Sequence, residues 1–429
     1  MVKNNNYYKK FLTNLFRDSV SVCLPENLMH KYVPSKKPQG NVLVVGAGKG
    51  SAEMAKYFEI AWEQKGYGPL NGIVITRYGH SSKCNNIEVV EASHPVPDIS
   101  GIRATNTILK KVKKLMKNDL LIFLISGGAS SLLISPKKDI TLKEKQEITS
   151  SLLSCGASIS EINSVRKHLS SVKGGQLVSY AYPAKTLTLA ISDVPGDDFG
   201  VIGSGPTYPD NTSRFDALNI LNKYKIKINK KIYNILNDKS YETPNSKSKV
   251  FKNTIFKLIA KPQDSLEEAA RIVRKNGFKP FILSDSVEGE SNDIGIVHGA
   301  IVKQVIKYNQ PYKPPLCILS GGETTVTVKN AKGKGGRNSQ FLLALAIYLD
   351  SIKGIYAISC DTDGIDGSEN NAGAIIYPNT LKRAIVLNLN AKQFLQSNDA
   401  YSFFHKLNDL VITGPTNTNV NDFRAILIF

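Results

Sequence analysis

Cysteine is sparse in this chain, tryptophan almost absent, and no apolar run is long. The five cysteines (Cys23, Cys84, Cys155, Cys317 and Cys360) are far apart, odd in number and never spaced Cys-x-x-Cys. That argues against a disulfide framework or a zinc site and suits a reducing compartment. The longest uninterrupted apolar run, Phe341 to Leu349, is far too short to span a bilayer. The opening MVKNNNYYKKFL lacks the apolar core of a secretion signal. These absences predict a cytoplasmic protein with no membrane partner. Acidic residues are also short, 36 against 55 Lys and Arg, for a formal charge of +19. The lysines are spread along the chain, without a tight basic run interleaved with aromatics. The surplus therefore reads as attraction for anionic small molecules and not as a nucleic-acid footprint. No GxSxG elbow and no cysteine–histidine pairing argues for acyl transfer.

What is present describes an ordinary globular chain: 429 residues, 41% hydrophobic and 21% charged, enough for two domains of usual size. The polar stretch Lys239–Asn253 reads as a linker, which places an amino-terminal domain at 1–245 and a carboxy-terminal one at 246–429. Residues 7–23 carry Leu12, Leu15, Phe16 and Cys23 at helical spacing. A buried-type strand at Asn41–Val45 then leads into Gly46-Ala47-Gly48-Lys49-Gly50-Ser51-Ala52 and a helix. Strand, glycine turn and helix make the phosphate-binding start of a mononucleotide fold. The dinucleotide fingerprint is incomplete, because Ser51 stands where the third glycine belongs and the next strand ends in Arg77, not in the acid that would hold a ribose. A second strand, Leu120–Ile125, ends in Ser126-Gly127-Gly128, the position at which α/β sheets bind ligands. His94, in the stiff loop before Ser100, reads as a hydrogen-bonding loop residue. In residues 160–175 the apolar stripe of Ile162, Val165, Leu169 and Val172 leaves Arg166, Lys167, His168 and Lys173 as a solvated basic face. Asp193, Asp197 and Asp198 follow a strand end, where carboxylates suit magnesium, although turns also favour Asp, Pro and Gly.

The most informative stretch is LCILSGGETTVTVKNAKGKGGRNSQF, Leu316 to Phe341. It reads as a buried strand (Leu316–Leu319), a break at Ser320-Gly321-Gly322, a second strand (Thr324–Val328) and a glycine loop carrying Lys332, Lys334 and Arg337. Glycines let backbone N–H groups approach an anion, and arginine offers a planar fork for phosphate or carboxylate. Asn338 opens a helix whose dipole points at that loop. Farther on, Asp361, Asp363 and Asp366 resemble a calcium loop, but Asp366 takes the place of its glycine and Ala372 that of its last acid. Cations, anion cradles and clustered carboxylates together are the inventory that phosphoryl transfer needs.

The motifs GAGKGSAEMA, SHPVPDISG, LISGGASSLL, INSVRKHLSSVKGG, ISDVPGDDFGVIGSGPTYPD, the LSGGETTVTV to GKGGRNSQF stretch, CDTDGIDG and GPTNTNVND resemble, in the same order, the class II glycerate kinases, the family with a MOFRL domain. The resemblance covers nearly the whole chain. It implies ATP-dependent phosphorylation of D-glycerate, usually at the 2-hydroxyl; the expected assembly is a monomer or homodimer. It implies a Rossmann-like amino-terminal domain and a smaller domain with a mixed sheet, including a MOFRL region at about 314–422, with the active-site cleft between them. The family's catalytic lysine and arginine fall on Lys49 and Arg337. Asp193 and Asp361 are the expected metal ligands or base, with Mg2+ as cofactor. Gly48, Ser126, Gly127, Gly128, Arg166, Ser320, Gly321, Gly322, Glu323, Asn338 and Asp363 are the expected substrate and nucleotide contacts. One departure is Asn338-Ser339-Gln340, where the family has Asn-Gln-Glu. The alternative reading is an NAD(P)H-dependent hydroxypyruvate reductase, a name that members of this family have carried.

Overall fold

The first sheet has six strands: β1 (Val42–Ala47), β2 (Asn71–Arg77), β3 (Ile87–Ala92), β4 (Leu120–Ile125), β5 (Lys185–Ile191) and β6 (Thr254–Ala260). Their order is β3-β2-β1-β4-β5-β6, and β1 to β5 pair in parallel. Strands such as Leu120–Ile125 are apolar throughout because helices cover both faces of a parallel sheet. The order reverses direction between β1 and β4. In a doubly wound sheet the ligand crevice lies outside the carboxyl ends of the strands at such a switch. The turns after β1 and β4 begin with Gly48 and Ser126. A separate helical core within the same unit unites the helices Leu142–Ser154, Ile159–His168, Arg214–Lys223 and Lys230–Asn237 around Leu152, Ile162, Val165, Leu221 and Leu236.

The computed structural model describes residues 4–328 and 332–429. The chain divides into one unit of Leu28–Ile259 and another that joins Met1–Asn27 to Ala260–Phe429. This differs from the expected division at 245/246 at both ends. The opening helix, Asn5–Ser21, is capped by Asn4, which accepts from Tyr7 N at 3.0 Å. It buries Tyr8, Leu12, Leu15 and Phe16 beside Leu266, Ala269 and Val273 of the helix Pro262–Lys275, in a core of the second unit. The stretch read as a linker contains two short 3-10 turns and leads into β6, which belongs to the first sheet.

The second unit holds β7 (Lys279–Ser284), β8 (Gly289–Glu290), β9 (Leu316–Gly322), β10 (Thr324–Thr325), β11 (Ile355–Asp361), β12 (Gly373–Ile376), β13 (Leu410–Val411) and β14 (Asp422–Ile428). Its six-stranded sheet runs β13-β12-β11-β14-β9-β7 and is mixed: β7 and β9 are parallel, the other pairs antiparallel. Alternate residues of β14 enter two cores, Phe423, Ala425 and Leu427 on one face, Ile426 and Ile428 on the other. Two expectations change here. Ser320-Gly321-Gly322 does not break β9, because Arg424, Phe423 and Asp422 pair opposite these three residues. The last strand begins at Asp422, not at Ala425, so a carboxylate and an arginine are buried in mid-sheet. Among the described residues no helix is long and apolar enough to cross a membrane.

Candidate active site

In the first unit the two switch-point turns are stitched to each other. Lys49 N donates to Gly127 O at 2.8 Å, and Gly50 N donates to Ser126 Oγ at 2.9 Å. Gly48 lies at φ +136°, and a Cβ there would stand 2.2 Å from Ser126 Oγ. Only glycine allows that approach. Ser126 therefore spends its hydroxyl on the backbone, while Lys49, half-buried, leads into the helix Ser51–Gln64. Gly128, at φ +81°, faces His94 and lies close to the Lys49 side chain. Asp193 follows β5, the neighbour of β4. Nearby Asp198 turns back to accept from Gly200 N at 2.7 Å. Among the described residues no group of three His, Cys, Asp or Glu side chains is arranged to hold a metal ion.

The basic face expected around residue 166 is largely buried. Lys167 pairs with Asp210 at 3.2 Å, His168 bonds Glu242 at 3.0 Å, and Lys173 sends its Nζ to Ser130 O at 2.8 Å. Helical periodicity separates apolar from polar faces but cannot tell that the polar face meets another element. Arg166, Lys145 and Lys173 line a cavity of about 660 Å³ with His94, Gly128 and Ser130. Burial pushes the Lys145 ammonium down to about 7, and the charges of Arg166 and Lys137 push the same way. Lys173 is driven well below its ordinary value by burial and by Lys145 and Arg166. Arg166 is lowered by burial.

In the second unit Arg337 opens the helix Arg337–Leu349 and forks three ways. Its Nε donates to Asp422 at 2.7 Å, Nη1 to Glu323 at 2.7 Å and Nη2 to Asp361 at 2.8 Å. Burial opposes its charge, yet Asp422, Asp361 and Glu323 hold it well above the ordinary arginine range. Asn338 Nδ2 also donates to Asp422, at 2.8 Å. Asp366 caps this helix, accepting from Asn338 N at 2.9 Å and Ser339 N at 2.8 Å. Burial nevertheless raises its carboxyl. Asp363 accepts from Ile365 N at 2.9 Å, an Asx turn beside Asp361. Ser320 is engaged by His298 Nε2 at 3.0 Å, and Gly321 O accepts from Arg424 at 3.2 Å, so both support the sheet beneath Asp422. Lys334 is an exposed partner of Glu369 at 3.6 Å.

Residues 11–237 match a family described as a domain of unknown function, DUF4147, and residues 316–422 match the MOFRL family. A protein of Agrobacterium vitis with the provisional name hydroxypyruvate reductase is 45% identical over 91% of this chain and 100% of its own length. The D-glycerate 2-kinase of Thermotoga maritima is 39% identical, with 98% of each chain covered. The crystal structure of a glycerate kinase from that organism aligns with a TM-score of 0.89 at 38% identity, over 99% of this chain and 100% of that one. The chain belongs to the glycerate kinase family.

Within this glycerate kinase fold the expected residues form two groups, Lys49, Gly48, Ser126–Gly128, Arg166 and Asp193 in one unit, and Arg337, Asn338, Glu323, Asp361 and Asp363 in the other. Sequence reasoning missed Asp422, Arg424 and Lys145, read Lys173 as solvated, and took Asp366 only as part of a calcium-like loop. Asp422 stands inside the GPTNTNVND motif, which was the available signal. Lys145 lay in a polar helix with nothing to mark it.

Proposed function

We propose that this chain transfers the γ-phosphoryl group of ATP to the 2-hydroxyl of D-glycerate, giving 2-phosphoglycerate and ADP. The observation that carries the reading is full-length agreement, in sequence and in fold, with glycerate kinases. Lys49 and Arg337 are assigned to the negative charge of the phosphates, which is the main demand of phosphoryl transfer. Arg337 suits it because its carboxylate partners fix the plane of the fork before any substrate arrives. Magnesium neutralises phosphate oxygens when bound. It takes one or two carboxylates plus phosphates and waters, and Asp193 of the first unit and Asp361 of the second are each proposed as such a carboxylate. Asp361 accepts from Arg337 Nη2 at 2.8 Å, which fixes its position. Asp193 and Asp361 are likewise the two candidates for the base that takes the glycerate hydroxyl proton.

The test is ADP formation from Mg-ATP and D-glycerate, with product passed directly to enolase. Turnover that enolase accepts without a mutase supports the reading; a requirement for mutase would move the phosphate to the 3-hydroxyl. The name of the Agrobacterium relative keeps a reductase in view. NADH oxidation with hydroxypyruvate in the absence of ADP formation would replace the kinase reading.

A further inference from the structure

The cavity of the first unit supports a more specific assignment, which rests on the kinase reading. Three basic side chains line it, and what holds them is neutral. Lys145 Nζ meets the carbonyls of Arg166 and Leu169 at 3.3 and 3.4 Å, and Lys173 Nζ those of Ser130 and Gly203 at 2.8 and 3.3 Å. Among the described residues the Arg166 guanidinium meets no carboxylate. The one acid in the lining, Glu147, is exposed and stands 3.9 Å from Lys143. Burying an ammonium or guanidinium without counter-charge is costly, and a ligand that supplies the charge offsets that cost. A polyphosphate brings three or four negative charges to such a site; a three-carbon acid brings one. Size points the same way, since about 660 Å³ lies in the range of sites for drug-sized ligands. At the rim Val96 and Leu153 are apolar yet 62% and 58% exposed, a surface on which a purine can stack. Gly128 joins the cavity to the Lys49 loop, its Cβ position being 3.4 Å from Lys49 Cγ.

We propose that this cavity is the nucleotide site, in which Arg166, Lys145 and Lys173 take the polyphosphate, Val96 and Leu153 cover the base, and the terminal phosphate lies toward Lys49.

The experiment is calorimetric titration of the full chain with ADP, without glycerate, for the parent, Arg166→Met and Leu153→Glu. Steady-state KM values for ATP and for glycerate are measured alongside. Loss of a charge-assisted contact should weaken ADP binding about tenfold or more in Arg166→Met, and Leu153→Glu should weaken it without touching any buried group. KM for ATP should rise while KM for glycerate holds. Unchanged ADP affinity with a raised KM for glycerate would overturn the proposal and give the cavity to the acid's carboxylate. No change in either would overturn it as well and leave the cations a structural role. Leu153 is exposed, so that variant decides the matter if Arg166→Met does not fold. ADP binding that depends on these residues in a protein that phosphorylates no glycerate would refute the kinase reading while leaving the nucleotide site intact.

Discussion

Asp422→Asn tests how the second unit holds its arginine. The Asp422 side chain has no exposed surface and accepts from Arg337, Asn338, Arg424 and Thr324. Two of those donors are guanidiniums, and Arg424 is itself fully buried. Asparagine keeps the volume but removes the charge, and its NH2 group cannot accept from either arginine. Removing one partner of a buried ion pair costs about 3–5 kcal/mol, because the other charge is left uncompensated. For a unit of about two hundred residues, each kcal/mol moves the melting temperature about 2–4 °C, so the fall should be about 6–20 °C. Scanning calorimetry of the full chain reads this directly. The pH dependence has a definite sign. Burial works to raise the Asp422 carboxyl, but Arg337 and Arg424 outweigh it and hold it below its ordinary range. Its stabilisation is thus complete above about pH 4, the unfolded value, and is lost as pH falls through the depressed native value. The gap between parent and variant should be full at neutral pH and close in acid. A shift under about 2 °C at pH 7, or a gap that widens in acid, would refute the reasoning.

The remaining predictions concern the cations and one glycine. Arg337→Lys keeps the charge but cannot reach three carboxylates at once, so kcat should fall about 10³-fold, the lower end of what an arginine on a transferring phosphoryl group contributes. Lys49→Ala should cost a comparable factor in kcat while the melting temperature stays near that of the parent, and near-normal turnover would remove Lys49 from the mechanism. Gly48→Ala must place a Cβ 2.6 Å from the Ser126 carbonyl oxygen at φ +136°. A cost of about 1–3 kcal/mol in stability is expected, with reduced kcat/KM, and unchanged activity would contradict the geometry. Burial and the charges of Arg166 and Lys137 leave Lys145 titrating at about 7, below its unfolded value of about 10.4. Between these limits the unfolded chain binds more protons, so stability should rise with pH from about 7 to 10, and Lys145→Met should flatten that rise. Polyphosphate beside Lys145 favours the ammonium, so ADP binding at pH 8 should take up protons, read as a buffer-dependent enthalpy.

The sequence by itself determined the local chemistry: a strand, glycine turn and helix around Lys49, a second strand ending at Ser126, the helix behind Arg337, and the ordered motifs that mark the family. Periodicity and turn chemistry are properties of neighbours along the chain, so they are legible without coordinates. Which distant charges meet is not such a property. Asp422 lies 85 positions from Arg337, and only the pairing of β14 with β9 and β11 brings it beneath the fork. The same holds for Lys145 and Lys173, polar on their own segments yet enclosed once the helices between β4 and β5 pack around them. The opening helix shows the limit in its plainest form. Its apolar stripe says that it must be covered, and the core of the second unit decides by what.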